Sequence, residues 1–208
     1  MQSKVQEAIA VLQKGGVIVH PTDTIPGLAC DATRPEAVDK IYKIKARDPE
    51  KPLLMLVNGP DMLHQYVSDI PLLAEQLVAQ FPDVPLTMIY PRAKGVAPNL
   101  PHPSGSIGIR ITRHPLSLQL IRGLGGPIAS TSANLSGQPN PDRMANIHPE
   151  VLNQLDYTLF LPAAETEGNP IPSWVIKAET DRIQILRKGI DHEGLENWIS
   201  QTTPDSRT

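Results

Sequence analysis

The sequence predicts an α/β protein with a single domain, built on a twisted, open, mixed sheet with flanking helices. Two observations lead to this fold class. Segments of helical period and short apolar runs follow one another along the 208 residues without strict alternation, which favours a mixed sheet over an all-parallel one. The 22 prolines and 14 glycines are spread along the chain as turn signals, so no linker divides it into domains.

The first half of the chain begins with a predicted helix. Val5, Ala8, Ile9 and Leu12 recur at helical spacing, and Gly15 ends the pattern as a C-cap. A β-branched run at 17–19 predicts a buried strand, and HPTDTIPGLACD, residues 20–31, is interpreted as a loop that opens from it. Predicted next are a helix at 35–45, a strand at 53–57, helices at 60–67 and 71–81, a strand at 85–90 and a proline-rich loop at 91–105.

The second half continues the same mixture. An alternating segment at 106–111 predicts a strand, a short helix begins at Leu116 and ends near Gly123, and an apolar run at 127–130 predicts another buried strand. The remaining predicted elements are a short helix near 148–155, a closing pair of strands at 174–178 and 182–187, a last helix at 191–200 and a frayed tail at 201–208.

Composition and charge exclude several classes of protein. A net charge of −3 gives no support for nonspecific nucleic-acid binding. The single cysteine, Cys30, excludes an intramolecular disulfide and a thiolate zinc cluster. No apolar stretch approaches the roughly 20 residues of a membrane span, and the N-terminus does not resemble a signal peptide. We therefore expect a cytoplasmic protein without a membrane partner.

Two predicted strands end in clusters of hydroxyl and amide side chains. The first reads VIV-HPTDT and the second IAS-TSAN. Ligands of α/β sheets bind at the carboxyl ends of strands, and such side chains supply neutral hydrogen-bond donors and acceptors there. The alternative is structural, because Ser132 and Asn134 are also suited to cap a turn or helix. From the residues alone, both interpretations stay open.

Three cationic residues lie close together at the end of the second predicted helix and in the segment that follows it. Lys45 continues the apolar stripe of that helix, and Arg47 and Lys51 follow within six residues. Such a group suits a polyanion such as triphosphate, although cations at a helix C-terminus also complement its dipole. The common phosphate loops, the nucleophile elbow and the zincin motif are absent from the sequence, and Cys30 is expected to be a small buried residue.

Taken in order, these motifs resemble the YrdC-like family. GGVIVHPTDTIPGLACD, IKARDPEKPL, PLT, SIGIRI, STSANLSG and ILRKG follow one another between residues 7 and 189. The family signature K-x-R corresponds to Lys45-Ala-Arg47 and its S-x-N to Ser132-Ala-Asn134. The match is to the short, single-domain threonylcarbamoyl-AMP synthase type. The resemblance implies a YrdC-like catalytic domain at 1–190, a C-terminal tail at 191–208 and a large basic concave surface.

The activity that the resemblance implies is that of a nucleotidyltransferase. Members join L-threonine, bicarbonate and ATP, with Mg²⁺, into threonylcarbamoyl-adenylate and release pyrophosphate. A downstream threonylcarbamoyl transferase complex then modifies the tRNA adenosine beside the anticodon. Contact with tRNA or double-stranded RNA is an additional candidate partnership. Two alternatives remain, an RNA-binding module and a YciO-like paralogue that acts on another small molecule.

The resemblance also implies a set of site residues. Catalytic roles fall to Lys45 and Arg47. The threonine-side positions are Thr24, Arg110, Ser130 and Ser173. The ATP-side positions are Arg47, Lys51, Ser106, Ser132, Asn134, Asn140 and Arg187. No dedicated carboxylate cage for Mg²⁺ is visible, although Asp23 or Asp31 is a candidate to assist.

This chain departs from the family pattern at four places. Trp174 stands where a threonine is usual and is expected to reshape the wall near the substrate. His20 and Pro26 stand where aromatic residues are common. The turn before residue 172 reads ETEGNPI rather than a glycine-rich sequence. The charged signature is intact, so these departures concern the detail of the substrate pocket.

Overall fold

The computed structural model describes residues 2–159 and 171–202, which form a mixed α/β domain. The helices are α1 (Gln2–Gln13), α2 (Pro35–Lys45), α3 (Pro60–Tyr66), α4 (Leu72–Gln80), α5 (Pro115–Leu124), α6 (Pro149–Leu152) and α7 (Glu193–Thr202). The strands are β1 (Ile18–His20), β2 (Gly27–Asp31), β3 (Leu54–Val57), β4 (Leu86–Tyr90), β5 (Ile107–Ile111), β6 (Ile128–Ser132), β7 (Tyr157–Thr158), β8 (Trp174–Ala178) and β9 (Ile183–Arg187).

The strands of the described residues join one sheet in the order β7-β1-β2-β6-β3-β5-β4-β8-β9. Three neighbouring pairs are parallel, namely β1 with β7, β3 with β5 and β4 with β8. The other pairs are antiparallel. The predicted open, mixed sheet with flanking helices is therefore confirmed.

Helices cover the two faces of the sheet unequally. One face packs against α2, α3, α4 and α7 and buries alternate strand residues, among them Met55, Met88 and Ile109. The opposite face packs against α1 and α5 through Leu56 and Ile128, with residues of β1 and β2. Within the described ranges, the α1/α5 cluster contains no residue of β4, β5 or β8. That part of the face is left open, and we call it the open half-face.

Two strands were not predicted. Residues 27–31 belong to the segment interpreted as a loop, but they form β2, which pairs with β1 and β6. Gly27, Ala29 and Asp31 of this strand have weak strand propensity, so pairing on both sides stabilises it. The two-residue β7 is too short to give a periodic signal. The helix predicted near 148–155 is shorter in the structure, where α6 has only four residues.

The C-terminal helix α7 packs into the same core as the sheet. Leu195 and Ile199 are buried in the cluster that contains Ile176 of β8. The predicted boundary after residue 190 stays a prediction. The ETEGNPI turn, except its last residue, and the tail beyond residue 202 lie outside the described residues. No described helix is both long enough and apolar enough to cross a membrane.

Candidate active site

A polar cleft of about 240 Å³ occupies the open half-face. Its floor consists of strand residues that point away from α2, α3, α4 and α7, because side chains alternate along each strand. The cleft brings together eight of the predicted site residues, which are Thr24, Arg47, Arg110, Ser130, Ser132, Asn140, Ser173 and Arg187. It does not include Lys45, Lys51, Ser106 or Asn134 among its lining residues.

Thr24 lies in the turn that joins β1 to β2. The Thr22 hydroxyl accepts a hydrogen bond from the backbone N–H of Thr24 at 3.1 Å and donates to the carbonyl of Ile25 at 2.8 Å. Hydroxyl-to-backbone bonds of this kind fix tight turns. They place the two threonine hydroxyls 3.2 Å apart. The polar turn after β1 therefore forms one wall of the cleft.

Arg110 brings a buried positive charge to the floor of the cleft. Its side chain is only 4% exposed, and Nη1 donates to the Thr24 hydroxyl at 3.3 Å. Nη2 lies 3.3 Å from Asp23 Oδ1, close enough for an ion pair but without hydrogen-bond geometry. Nε has no hydrogen-bond partner among the described residues. A buried guanidinium with a free N–H favours an anionic ligand, above all a carboxylate.

A second arginine lies on the β9 side of the cleft. Arg187 donates from Nε to the carbonyl of Ser173 at 3.1 Å and from Nη2 to its hydroxyl at 3.2 Å. That hydroxyl is also 2.8 Å from the Thr87 hydroxyl. Burial, and then the charge of Arg110, lowers the pKa of Arg187. The two arginines therefore act on the same small volume.

Trp174 does not reshape this wall, contrary to the expectation from its size. The indole is fully buried on the α2/α3/α4/α7 face, where Nε1 donates to the carbonyl of Ile190 at 2.8 Å. Its neighbours Ser173 and Val175 line the cleft instead. Alternation along β8 thus directs the bulky residue away from the site.

Lys45 holds the loop that follows β6. Its Nζ donates to the carbonyl of Ser132 at 2.5 Å, the carbonyl of Asn134 at 2.6 Å and Asn134 Oδ1 at 2.9 Å. The Ser132 hydroxyl also donates to Asn134 Oδ1. Burial, and then the charge of Arg47, lowers the pKa of Lys45 to about 7. The K-x-R and S-x-N motifs therefore meet, with the ammonium group directed into the loop rather than into the cleft.

Arg47 reaches the cleft because α2 ends abruptly. Ala46 adopts a left-handed conformation with φ of 47°, and the following N–H bonds back to the carbonyl of Tyr42, which reverses the chain. Arg47 then donates to the carbonyls of Lys51 at 2.7 Å and Pro52 at 3.2 Å. Burial lowers its pKa. Lys51 is exposed beyond this turn.

The other ATP-side predictions lie around the cleft. Ser106 lines an adjoining groove, in which its hydroxyl lies 3.0 Å from that of Ser104. The groove shares Pro52 and Ile89 with the cleft, so the two lie next to each other. Asn134 is engaged with Lys45 and donates from Nδ2 to the carbonyl of Gln138 at 2.6 Å.

Sequence reasoning missed part of the floor. Thr87 and Gly108 line the cleft between the two arginines. A Cβ at Gly108 would lie 3.3 Å from side-chain atoms of Thr87 and Ile89, so glycine keeps the floor low. The sequence signal that could have found them is a polar residue, Thr87, within the apolar β4 and a glycine, Gly108, within the largely apolar β5.

Behind the cleft lies a group of buried polar side chains with incomplete hydrogen bonding. Neither ring nitrogen of His20 has a well-formed partner, and His114 Nδ1 and Ser117 Oγ also have none. His20 is fully buried, and burial, with the nearby His114, lowers its pKa to about 3. Burial also lowers the pKa of His114. Both imidazoles are therefore uncharged at neutral pH.

Carboxylates contribute little to the cleft. Among residues 2–159 and 171–202, no group of three or more acidic, histidine or cysteine side chains could hold a metal ion. Asp31 accepts from the N–H and hydroxyl of Thr33 and pairs with Arg34. Asp23 faces Arg110.

The fold and the site together define a class of protein. A mixed sheet carries an open, arginine-containing cleft lined by small hydroxyl side chains, which suits small anionic substrates. The family model described as Telomere recombination, for Sua5, YciO and YrdC proteins, matches residues 10–189. The chain belongs to this Sua5/YciO/YrdC family.

Known relatives agree with this assignment. A protein of Photobacterium profundum named threonylcarbamoyl-AMP synthase is 35% identical over 187 residues, which are 88% of this chain and 98% of the relative. A Vibrio campbellii protein of the same name is 36% identical over 188 residues, with the same shares covered.

Solved structures show the same fold. P. abyssi Sua5, crystallised with L-threonine, has a TM-score of 0.86 at 26% identity, covering 98% of this chain. The present chain spans 59% of that Sua5 chain. E. coli YciO has a TM-score of 0.78 at 24% identity, covering 94% of this chain and 93% of its own, and supports the fold alone.

Proposed function

We propose that this protein is a threonylcarbamoyl-AMP synthase, a nucleotidyltransferase that joins L-threonine, bicarbonate and ATP. The observation that carries the proposal is the buried Arg110 at the floor of the cleft, bonded to Thr24 and with Nε unengaged. The relatives named threonylcarbamoyl-AMP synthase support it, because they match nearly their whole length.

Threonine is assigned to the inner part of the cleft. Its carboxylate pairs with Arg110, and its hydroxyl and backbone groups face the hydroxyls of Thr24, Ser130 and Ser173. A volume of about 240 Å³ lies below the usual range for drug-sized ligands, which begins at roughly 300 Å³. The cleft alone therefore suits an amino acid, and a nucleotide has to extend beyond it.

ATP is assigned to the outer part of the cleft and the adjoining groove. Arg47 and Arg187 supply positive charge for the phosphates, and Ser132 and Asn140 line the same wall. Ser106 lies in the groove, on the path that the rest of the nucleotide would follow. ATP enters as its Mg²⁺ complex, with the ion held mainly by phosphate oxygens and water.

The chemistry requires no nucleophile from the protein. Threonine, as its ammonium form, and bicarbonate give the carbamate with loss of water and one proton. A carbamate oxygen then attacks the α-phosphate, and the bond to the leaving pyrophosphate breaks. The protein positions the reactants and balances the charge of the phosphates. The described residues that line the cleft include arginines and hydroxyl side chains but no cysteine or histidine, which suits a reaction in which the substrate supplies the nucleophile.

The proposal is tested by pyrophosphate release. We expect release to require ATP, Mg²⁺, bicarbonate and threonine together, and replacing Arg110 with methionine to lower kcat/KM for threonine at least about 100-fold, because a charge-assisted bidentate pair is lost. Arg113→Met is the matched control, since Arg113 is the exposed arginine that follows the same strand. Release without threonine, or equal loss in both variants, would refute the assignment.

Further partners are also proposals. A downstream transferase is required to move the threonylcarbamoyl group to tRNA, because the adenylate is an activated intermediate. Filter binding across a salt series tests contact with tRNA or double-stranded RNA, since phosphate-driven binding weakens steeply as salt rises. Thermal stabilisation by serine or another amino acid, but not threonine, would instead favour the YciO-like alternative. The expected cytoplasmic location is tested by fractionation.

A further inference from the structure

A second cavity lies on the opposite side of β4 and β5 from the cleft. It has a volume of about 370 Å³ and is walled by α3, α4 and the connection from α4 to β4. Its floor includes Met88, Tyr90 and Ile109, which are almost fully buried. The cavity opens to the surface, because its lining residues Glu75 and Arg113 are 46% and 61% exposed. Its apolar floor is therefore accessible to a small ligand.

The cavity has an apolar interior and a charged mouth. Phe81 and Tyr90 supply aromatic surface inside it, and Glu75, His64 and Arg113 surround the opening. Its volume falls in the range of small-molecule sites, which are mostly apolar with a few polar groups that orient the ligand. The interior therefore suits the apolar part of a small ligand. The charged residues at the opening determine which polar group of the ligand is favoured.

The charges at the mouth favour a cation. Arg113 already donates to the carbonyl of Pro82 at 2.6 Å and lies 3.7 Å from Asp83. Glu75 lies 3.7 Å from His64, which balances its charge only when protonated. Burial, and then the Glu75 carboxylate, raises the pKa of Tyr90, so this negative charge also acts on the cavity floor.

We propose that this cavity is a binding site for a small organic ammonium compound, with its apolar body against Met88, Tyr90 and Ile109 and its cationic end at Glu75. The site is separate from the cleft, and its occupancy does not depend on the proposed enzymatic function. Along β5, Ile109 and Ile111 face the cavity while Gly108 and Arg110 face the cleft, so a bound molecule would rest against the strand that carries Arg110.

The test compares three probes that share one aromatic body, namely phenethylamine, phenethyl alcohol and phenylacetate. Binding is measured by thermal shift and by calorimetry on the full-length protein. We expect the amine to bind about fivefold more tightly than the alcohol, an effect within reach of a half-exposed ion pair, and the carboxylate to bind most weakly. Failure of the amine to bind, or equal affinity of amine and alcohol, would overturn the proposal.

Two variants localise the site. Glu75→Gln should make the amine and the alcohol equivalent, with Glu193→Gln, an exposed acid on α7, as its control. Ala79→Phe should fill the cavity and abolish binding of both, with Ala10→Phe on the exposed side of α1 as its control. Unchanged amine binding in Ala79→Phe would contradict the assigned place. If that variant fails to fold, loss of amine preference in Glu75→Gln decides the question alone.

Discussion

The Lys45 side chain anchors the loop that follows β6. The family resemblance implies a catalytic contact with the reacting groups, whereas the ammonium group donates to three oxygens of the loop after β6. It is also almost completely buried, at 1% exposure. This geometry favours a positioning role of Lys45 toward Ser132 and Asn134. Its catalytic role stays a prediction, and Arg47 of the same motif lines the cleft.

Unfolding in urea without any substrate separates these roles. Lys45→Met should lower the free energy of unfolding by about 2 kcal/mol, because it leaves buried carbonyl oxygens without a donor. A double-mutant cycle with Asn134→Ala should show coupling of about 1 kcal/mol or more. Lys43→Met, on the exposed side of the same helix, should change stability little. Equal stability of Lys45→Met and Lys43→Met would contradict the positioning role of Lys45.

Arg110 shows what residue-level reasoning could predict and what it could not. Its assignment to the substrate side came from the family resemblance, and alternation in SIGIRI made a strand evident. Its partners were not predictable, because Thr24 lies 86 positions away and the pairing depends on the order of strands. Local patterns carry no record of such distant contacts, so Thr87 and Gly108 were also missed.

Among the elements, α1 and α5 pack unusually closely. A Cβ placed on Gly123 of α5 would lie 2.3 Å from Cδ1 and 2.9 Å from Cγ1 of Ile9 on α1. A larger residue at position 123 would therefore force the Ile9 side chain to move. This contact matters for function because the two helices cover one half of the face and thereby define the open half-face.

Substitution tests the closeness of these helices. Gly123→Ala should reduce the free energy of unfolding by about 1–3 kcal/mol, as overpacking usually does, although alanine is the better helix former. Adding Ile9→Val should recover part of the loss, because it removes the terminal methyl that collides. Chemical denaturation of the two single variants and the double variant measures this. A more stable Gly123→Ala protein would show that the helices separate without cost.

The sequence predicted the elements whose apolar residues recur with a clear helical or strand period. It did not predict strands that form because neighbouring strands pair with them. The bounds of α2 match the prediction at both ends, since Pro35 begins it and the apolar stripe runs to Lys45. β2 was missed because Gly27, Ala29 and Asp31 have weak strand propensity and locally resemble a loop. Two strands pair with β2, and their hydrogen bonds stabilise the extended conformation that its residues do not favour by themselves.

For the whole molecule, the site results from unequal covering of one sheet. The face that carries α1 and α5 changes from apolar to polar along a single strand. In β6, Ile128 lies in the α1/α5 cluster while Ser130 and Ser132 line the cleft. Where no helix covers the sheet, the polar side chains of its strands are exposed at positions fixed by the backbone. The sheet itself therefore forms the floor of the cleft.

The buried His20 predicts acid sensitivity of the whole fold. Its pKa is lowered to about 3 by burial in the folded protein, against about 6.5 in an unfolded chain. Between these values the unfolded chain binds more protons, so stability is lost as pH falls. At pH 4.5 the loss from this residue should be about 3 kcal/mol relative to pH 7.

Urea unfolding at pH 7 and pH 4.5 measures this sensitivity. The difference in unfolding free energy between the two pH values should shrink in His20→Phe. The same pH dependence in His20→Phe and the native protein would mean that other groups, such as His114, account for the acid effect.

The strand order has a consequence for synthesis on the ribosome. Chains emerge and fold from the N-terminus, but β1 and β2 lie in the sheet between β7 and β6, and the cleft is lined from Thr22 to Arg187. Its two opposing walls can meet only after translation has passed Arg187. A shorter nascent chain is therefore unable to form the complete cleft.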